Sequence, residues 1–347
     1  MSNNSLTLKS ILIVVMDIAL VGICLLVFAL FHHVLPQASN PEAGATQIII
    51  TRPTATATVT PTPGDNSMPP DVTSTPYVDY GQFGERFADK FATDDTVTQT
   101  ATEYRSKDIY ISLSMHTTEF DRGQVVYHVA DIYVRNIENF RTKLAHDTYG
   151  RGFTEDVRKM NFNEGGIVGL SGDMTSSTRG GIAIRNGVVY CSKTFGDVCV
   201  LYWDGTMVTY EEDRFSMDEA VAGGAYQAWD FGPKLLDDNG EPLEEFNSRV
   251  RLHNPRSVIG YYEPGHYCFV IIEGRIDRSA GATMAQTAEI MQRLGCKQAY
   301  NLDGGQSAIM AYNNGDGDWS NDFVNIPYNG GRPLTDMLFI TEYTPEQ

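Results

Sequence analysis

An apolar run of 21 residues near the amino terminus, ILIVVMDIALVGICLLVFALF at positions 11–31, constrains this chain more than any other feature. A helix needs about 20 apolar residues to cross a bilayer, so the run predicts a transmembrane anchor, which we place at residues 11–35. A signal peptide has a shorter apolar core and a small-x-small cleavage site, and the residues after this run match such a site poorly. An uncleaved anchor is therefore favoured.

The basic residues predict which side of the membrane carries the rest of the chain. Lys9 lies in the short tail formed by residues 1–10, and the first basic residue after the run is Arg52. The positive-inside rule makes the tail cytoplasmic and places the remainder outside, as a single-pass protein of the cell membrane. A carboxylate costs about 2.5–3.5 kcal/mol at the bilayer centre, so we expect Asp17, the one charge in the run, near the inner face or protonated.

The composition changes after the anchor. Residues 36–78 are rich in Thr, Pro, Ala and Ser, and such a stretch predicts a disordered, extended linker because it buries little apolar area. Residues 79–101 predict a short helical lead-in or a cap on the domain. The phenylalanines of FGERFADKF, spaced four residues apart, would lie on one face and pack into the core. Residues 102–347 then form a single domain.

Within residues 102–347, short alternating strands outnumber helices. DIYISLSMHTTEF and QVVYHVADIYVRN flank DRG and predict a hairpin, and Asn-Gly and Asp-Gly turns predict two more. A helix capped by Thr154 precedes the apolar strand GGIVGLSGDM. YCFVIIEGR, TMAQTAEIMQRLG and CKQAYNLDGG predict a strand, a helix and a strand joined as a parallel crossover. The pattern indicates an α+β fold with a single mixed-sheet domain.

Charge and motifs exclude several classes of function. A formal net charge of −18, from 44 acidic and 26 basic residues, disfavours nucleic acid as a partner. The chain lacks a CxxC pair, an HExxH motif, a GxSxG elbow and a P-loop. NNGDGDW resembles the start of a calcium loop, but Trp319 stands where that loop needs glycine, so a hairpin turn is favoured. We therefore expect neither a metal nor a cofactor.

Four of the five cysteines lie in the part of the chain predicted to be outside, and four cysteines allow three pairings. Cys191 and Cys199 flank SKTFGDV between two predicted strands, which suits a disulfide across the neck of a hairpin. Cys268 and Cys296 would then pair or remain buried as free thiols.

The crossover predicts where a site forms. Its two strands point the same way, so IIEGR and NLDGG deliver Glu273, Arg275 and Asp303 to one sheet edge, where ligand crevices form. Asp173 also follows an apolar strand, and Arg256 precedes one. The alternatives are a surface ion pair for Glu273 and Arg275, and carbonyl contacts at a strand start for Arg256.

Glycines adjoin each of these carboxylates. Gly304 and Gly305 follow Asp303 and let the backbone turn and a second molecule approach closely, which favours a presented carboxylate. For this motif alone, the alternative is a strand-to-turn junction in which Asp303 accepts backbone hydrogen bonds.

Seven motifs in order match a known family: GLSGDM, GIAIRNGVVY, GPKLLDDNGEPL, NPRSVIGYY, IIEGR, NLDGGQSAIM and RPLTDMLFI. From about Asp108 to Glu342 the chain resembles the phosphodiester glycosidase family and is similar to a bacterial, membrane-anchored member. Family members usually have NGDFF, DGR and LDGGGSS where this chain has SGDM, EGR and LDGGQSA. The second departure keeps its charge, and the third keeps Ser307 while losing the second serine.

The resemblance implies hydrolysis of a sugar-1-phosphodiester without a cofactor. It implies that Asp303 is the nucleophile or base, that Glu273 and Asp173 are supporting carboxylates, that Arg256 and Arg275 hold phosphate beside Gly304 and Gly305, and that Ser307 orients a hydroxyl or phosphate oxygen. The expected partner is a glycosyl-phosphate substrate or an envelope polymer such as exopolysaccharide or teichoic acid. The alternatives are a non-catalytic module that binds phosphorylated glycans and a glycosyl transferase that uses the same site.

Overall fold

The computed structural model describes residues 3–31, 35–38, 47–53, 82–174, 181–246 and 248–343. Most of the predicted linker, residues 54–78, lies outside these ranges, as do the first two residues of the predicted tail.

The described residues form four α-helices and eighteen strands. The helices are α1 (Asn3–Ala29), α2 (Val157–Asn163), α3 (Met217–Ala222) and α4 (Met284–Arg293). The strands are β1 (Gln37–Ala38), β2 (Thr98–Gln99), β3 (Glu103–Arg105), β4 (Ile109–Phe120), β5 (Gly123–Val134), β6 (Phe140–Leu144), β7 (Gly150–Arg151), β8 (Gly166–Ser171), β9 (Ala183–Arg185), β10 (Val188–Cys191), β11 (Val198–Tyr202), β12 (Met207–Tyr210), β13 (Ala225–Trp229), β14 (Arg256–Glu263), β15 (His266–Ile272), β16 (Gln298–Asn301), β17 (Met310–Tyr312) and β18 (Asp336–Thr341).

Helix α1 contains the apolar run. Its segment Ile11–Ala29 is long and apolar enough to cross a membrane, and its place near the amino terminus suits either an anchor or a signal sequence.

Three antiparallel sheets surround a common core. Their strand orders are β16-β14-β15-β5-β4-β3-β2, β10-β9-β13-β11-β12 and β17-β8-β18-β6. Phe140 on β6 lies at the centre. Its ring centroid is 6.3 Å from that of Trp229 on β13 and 5.5 Å from that of Tyr267 on β15. Helix α4 covers the other face of the seven-stranded sheet through residues such as Met291. The predicted α+β class is confirmed.

The crossover through α4 joins two strands that run in the same direction. Both β15 and β16 pair antiparallel with β14, which lies between them, so they are parallel to each other without being neighbours. Strand β14 occupies this place because it forms a hairpin with β15, next to it in sequence, before the chain enters α4. The carboxyl ends of β15 and β16 therefore meet at one edge, beside the start of β14, as the sequence predicts.

Two local predictions are corrected. The cap of α2 is Asp156, whose side chain accepts a hydrogen bond from the Arg158 amide, and not Thr154. The reason is that Glu155 is held extended by a β-bridge to Leu334. The lead-in beginning at Gln82 forms successive turns instead of a helix. Its phenylalanines, Phe83, Phe87 and Phe91, are nevertheless buried in the core as predicted.

Two parts of the predicted linker lie against the domain. Gln37–Ala38 pairs with Gly150–Arg151 as a two-stranded sheet. Further on, Ile50 is only 6 % exposed, and its amide donates to the Gly187 carbonyl over 2.7 Å. The Trp203 indole donates to the Ile50 carbonyl over 3.0 Å. The prediction of a disordered linker is wrong at these positions, because backbone pairing holds Gln37–Ala38 and the buried side chain of Ile50 holds the second segment.

The predicted Cys191–Cys199 disulfide is also wrong. Strands β10 and β11 are separated in their sheet by β9 and β13, which puts the two cysteines roughly 14 Å apart at ordinary strand spacing. All five cysteines are free thiols. The Cys268 and Cys296 sulfur atoms lie 3.7 Å apart in the core beneath α4.

We expect Ile50→Ala to lower the free energy of unfolding by about 2–4 kcal/mol, because it removes a side chain buried in the core. The matched control is Ile49→Ala: Ile49 is its neighbour, its side chain is 65 % exposed, and the change should be within about 0.5 kcal/mol. Urea unfolding of the detergent-solubilised chain, followed by tryptophan fluorescence, measures both. Equal midpoints for the two variants would show that the segment does not dock.

Candidate active site

The candidate site lies where strand ends of the seven-stranded and four-stranded sheets meet. The Asp303 amide donates to the Gly172 carbonyl over 3.0 Å, which places the turn after β16 against the turn after β8. Ser257 on β14 donates its hydroxyl to the Asp303 carbonyl over 2.9 Å and also contacts the hydroxyl of Ser171 at 2.7 Å. These contacts bring Asp173 and Asp303, 130 residues apart in sequence, into one neighbourhood.

Glycine is required in the turns after β8 and β16 because neighbouring atoms approach their backbones closely. A Cβ atom on Gly172 would lie 2.5 Å from the carboxyl carbon of Asp336. A Cβ atom on Gly304 would lie 2.6 Å from the Pro255 carbonyl oxygen. A larger residue at Gly172 would meet the Asp336 carboxyl group, and one at Gly304 would meet the chain entering β14, so either would displace a turn that carries Asp173 or Asp303.

Asp303 is buried and held in a fixed orientation. It is 7 % exposed, and its Oδ2 accepts a hydrogen bond from Arg332 Nη2 over 2.9 Å. Arg332 also donates from Nε to the Ser307 hydroxyl over 2.6 Å. Burial raises the pKa of the Asp303 carboxyl, and the hydrogen bond from Ser307 and the charge of Arg332 oppose this increase. The site therefore presents a desolvated carboxylate whose orientation is fixed by an arginine and a serine.

Asp173 belongs to a buried cluster beside Asp303. Arg185 Nη2 donates to Asp173 Oδ1 and to Asp336 Oδ2, both over 2.9 Å. Burial raises the pKa of Asp173, and the charge of Asp303 adds to the increase, while Arg185 opposes it. Burial raises the pKa of Asp336 to about 8. Because one guanidinium serves two buried carboxyl groups, the cluster can hold a proton near neutral pH.

Asp230 supports Asp173 through its backbone amide. The Asp230 amide donates to Asp173 Oδ2 over 3.3 Å. The Asp230 carboxylate in turn accepts hydrogen bonds from the amides of Ile182, Phe195 and Gly196. It thereby fixes two loops at the edge of the cluster.

Arg256 and Arg275 provide positive charge next to the Asp303 turn. Arg256 is 2 % exposed and donates only to carbonyls, to Ala282 over 3.1 Å and to Leu252. Burial lowers its pKa to about 10, and the charge of Arg275 contributes. Arg275 donates to the Asn254 side chain and lies 4.0 Å from the Cβ position of Gly305. These carbonyl contacts are the alternative that the sequence left open for Arg256. Within the described residues neither arginine pairs with a carboxylate, so neither charge is neutralised by an ion pair there.

Glu273 lies at the same edge, but its carboxylate is engaged by groups outside this cluster. Its carboxylate bonds to His128 over 3.0 Å, to Arg278 Nε over 2.6 Å and to the Ile326 amide over 2.6 Å. Burial alone would raise the pKa of Glu273, but the hydrogen bonds from His128 and Arg278 lower it to about 2. This carboxylate is ionised and fully engaged by the protein. Its contacts are therefore those of a residue that holds the local structure together. The other predicted residues lie together: Asp173, Asp303 and Ser307, with Arg256 and Arg275 beside them.

The sequence did not reveal four side chains of this neighbourhood: Arg185, Arg332, Asp336 and Asn254. Arg185 precedes an Asn-Gly turn, and Asp336 opens an apolar strand, so each resembles an ordinary strand-end polar residue. Arg332 follows Gly330-Gly331, and this glycine pair was the one local signal available. Only the packing of the three sheets makes them neighbours of Asp303.

Comparison with known proteins identifies the family. The family model described as phosphodiester glycosidase matches residues 163–341, just over half of the chain and every predicted site residue. The chain belongs to the phosphodiester glycosidase family. The chain is 30 % identical over 138 residues to the SPβ prophage-derived uncharacterized protein YomE of Bacillus subtilis (strain 168). The match covers 38 % of this chain and 21 % of YomE, so the chain spans about a fifth of that relative.

Solved structures share the fold. The catalytic domain of zebrafish N-acetylglucosamine-1-phosphodiester alpha-N-acetylglucosaminidase, auto-inhibited by its pro-peptide, matches with a TM-score of 0.53 and 16 % identity, covering 72 % of this chain and 88 % of that one. A hypothetical protein from Synechocystis matches with a TM-score of 0.50 and 13 % identity, covering 72 % and 64 %. At these identities the likeness concerns the fold alone.

We expect the stability of Glu273→Gln, relative to the parent, to depend on pH in a defined direction. The folded pKa of Glu273, about 2, lies below its usual value of 4.5, so its contribution is present above pH 4.5 and is lost as pH falls toward 2. The parent should thus lose on the order of 3 kcal/mol of its advantage over the variant on acidification. Urea unfolding at a series of pH values measures this change.

Asp303→Asn is the matched contrast. Because the folded pKa of Asp303 is raised, its contribution is present below the unfolded value of 3.8 and is lost as pH rises. The parent should therefore gain stability relative to Asp303→Asn on acidification. Changes of the same sign for both variants would contradict the assigned environments.

Proposed function

We propose that this protein hydrolyses the anomeric carbon–oxygen bond of a sugar-1-phosphodiester, releasing free sugar and a phosphomonoester. The observation that carries the proposal is the placement of a buried, oriented carboxylate, Asp303, beside two arginines that lack carboxylate partners among the described residues. This pairing suits a substrate with an anomeric carbon next to an anionic phosphate. Membership of the family and the chemistry of the site support the same reaction.

Cleavage passes through a state in which positive charge develops on the sugar ring and negative charge on the departing phosphate. Asp303 stabilises or attacks the anomeric carbon, or removes a proton from the attacking water. Arg332 and Ser307 keep its carboxylate in one orientation. Either way the water oxygen ends on the anomeric carbon, and the electrons of the broken bond leave with the phosphate.

The arginines and the second carboxyl group act on the leaving side. Arg256 and Arg275 stabilise the phosphate as its charge increases, which is worth more in a desolvated site than in water. Asp173, with its pKa raised by burial, can hold a proton near the reacting bond. Glu273 supports the edge by fixing Arg278 and the Ile326 amide, which replaces the sugar-contacting role predicted for it.

The substrate context is part of the proposal. We place the chain in the cell membrane through residues 11–35, with the domain outside the cytoplasm, because α1 is long and apolar enough for an anchor. The substrates within reach would then be glycosyl phosphodiesters of the cell envelope.

We expect Asp303→Asn to lower kcat/KM for sugar release from a sugar-1-phosphodiester by roughly a thousandfold, since it removes the carboxylate while keeping its size. The assay is release of free sugar by the full-length chain in detergent, with and without chelator. The control is Glu289→Gln, which removes a surface carboxylate on α4 paired with Arg293 and should retain the parent rate.

An unchanged rate for Asp303→Asn, with parent-like unfolding, would remove the assignment. Retained ligand binding without turnover in the parent would instead indicate a non-catalytic glycan-binding module. Transfer of the sugar to an added alcohol in preference to water would indicate a transferase.

A further inference from the structure

Exposed apolar side chains concentrate around the candidate site. Beyond Leu35, nine of the described large apolar residues are exposed. Five of them border the site and are called here the apolar rim: Met174, Phe195, Val250, Leu252 and Ile326, exposed by 43, 45, 52, 71 and 52 %. Clustered exposed apolar surface, unlike scattered single residues, marks a binding surface.

Hydrogen bonds tie the first half of the rim to the acidic cluster. Met174 directly follows Asp173. The Phe195 amide donates to Asp230 Oδ2 over 2.7 Å, and the Asp230 amide donates to Asp173. Both side chains therefore lie on the Asp173 side of the site.

The second half borders the arginines and Glu273. The Leu252 carbonyl accepts a hydrogen bond from Arg256, and Val250 lies two residues before it. The Ile326 amide donates to Glu273 Oε1 over 2.6 Å. These contacts put Leu252 next to Arg256 and Ile326 next to Glu273, beside the positions that would hold phosphate and the second ester group of the substrate.

The amino-terminal segment also keeps the domain close to the end of α1. Helix α1 ends at Ala29, and Gln37 pairs with Arg151 on the domain. Eight residues of extended chain span at most about 29 Å. Strand β1 pairs with β7, and Tyr149, which lies just before β7, packs against Tyr190 on β10, next to the strand that carries Arg185. If α1 is an anchor, the site is held near the bilayer surface.

We infer that the second ester group of the substrate is a hydrocarbon chain, so that the protein acts on lipid-linked glycosyl phosphodiesters. This inference rests on the proposed function. A polar aglycone, such as a second sugar, would need hydrogen-bond partners for its hydroxyl groups, whereas four of the five rim side chains are aliphatic. Hydrolysis transfers the sugar to the oxygen of water and leaves the hydrocarbon as its phosphate monoester, with no other reactant needed.

The test compares sugar-1-phosphodiesters of one sugar that carry methyl, glyceryl or octyl groups, with the full-length chain reconstituted in vesicles. A fully buried methylene is worth about a fourfold gain in binding, and a partly covered one less. We expect kcat/KM for the octyl compound to exceed that for the methyl compound at least about tenfold, and the glyceryl compound to resemble the methyl one.

The double variant Leu252→Ser, Ile326→Ser should lower the octyl-to-methyl ratio to below about threefold, because half-covered methylenes lose their apolar contact. Val97→Ser is the control, since Val97 is 53 % exposed and precedes β2, at the opposite edge of the sheet from β16. Partitioning of the octyl compound into vesicles is common to all variants, so the difference between them isolates the rim.

A parent ratio near one, or a ratio that the double variant leaves unchanged, overturns the inference while the proposed function stands. A clear preference for the glyceryl compound does the same and favours a polymer substrate. If no member of the series is cleaved, the proposed function is overturned, and the inference with it.

Discussion

The buried guanidinium of Arg185 is the interaction on which the site depends. Arg185 ends β9 in the five-stranded sheet, and its donors reach Asp173 after β8 and Asp336 at the start of β18, both in the four-stranded sheet. Its remaining donors go to the carbonyls of Ile184 and Ala228. With 2 % exposure, it has no access to water as a substitute partner. Breaking one partner of such a buried pair costs about 3–5 kcal/mol, so the two sheets keep this register.

That register has a chemical consequence. Two carboxyl groups share one guanidinium, and a third carboxylate, Asp303, acts on Asp173 from the next sheet. Charges of one sign held together in a desolvated place raise each other's pKa values. The junction between these sheets therefore holds an ionisable carboxylate and a proton close to each other. The same contacts that hold the sheets together also give these carboxyl groups the different protonation states that the proposed hydrolysis would use.

The sequence could predict the features that depend on local pattern. Hairpins at Asn-Gly and Asp-Gly turns, the strand direction of the crossover and the shared edge of Glu273 and Asp303 follow from alternation and turn residues. Arg185, Arg332 and the docked Ile50 could not be predicted, because each acts on residues far away in sequence. Ile50 lies in a Thr/Pro-rich stretch whose average composition concealed three isoleucines. Cys191 and Cys199 were predicted to pair because they are close in sequence. That closeness does not show that two strands of the sheet lie between them.

Glu273 and Asp303 show most clearly where local pattern stops being informative. Both follow a buried strand of the same sheet, both precede a glycine, and both reach the same edge. Their surroundings separate them: His128, Arg278 and a backbone amide hold Glu273 ionised, whereas burial raises the pKa of Asp303 against a single arginine and a serine. A carboxylate with every oxygen engaged has little affinity left for a substrate. One with its charge poorly compensated gains most when positive charge develops beside it, as it does on the sugar in the transition state. Under the proposed function, the choice between these two carboxylates therefore follows from electrostatics that arise only when the three sheets pack.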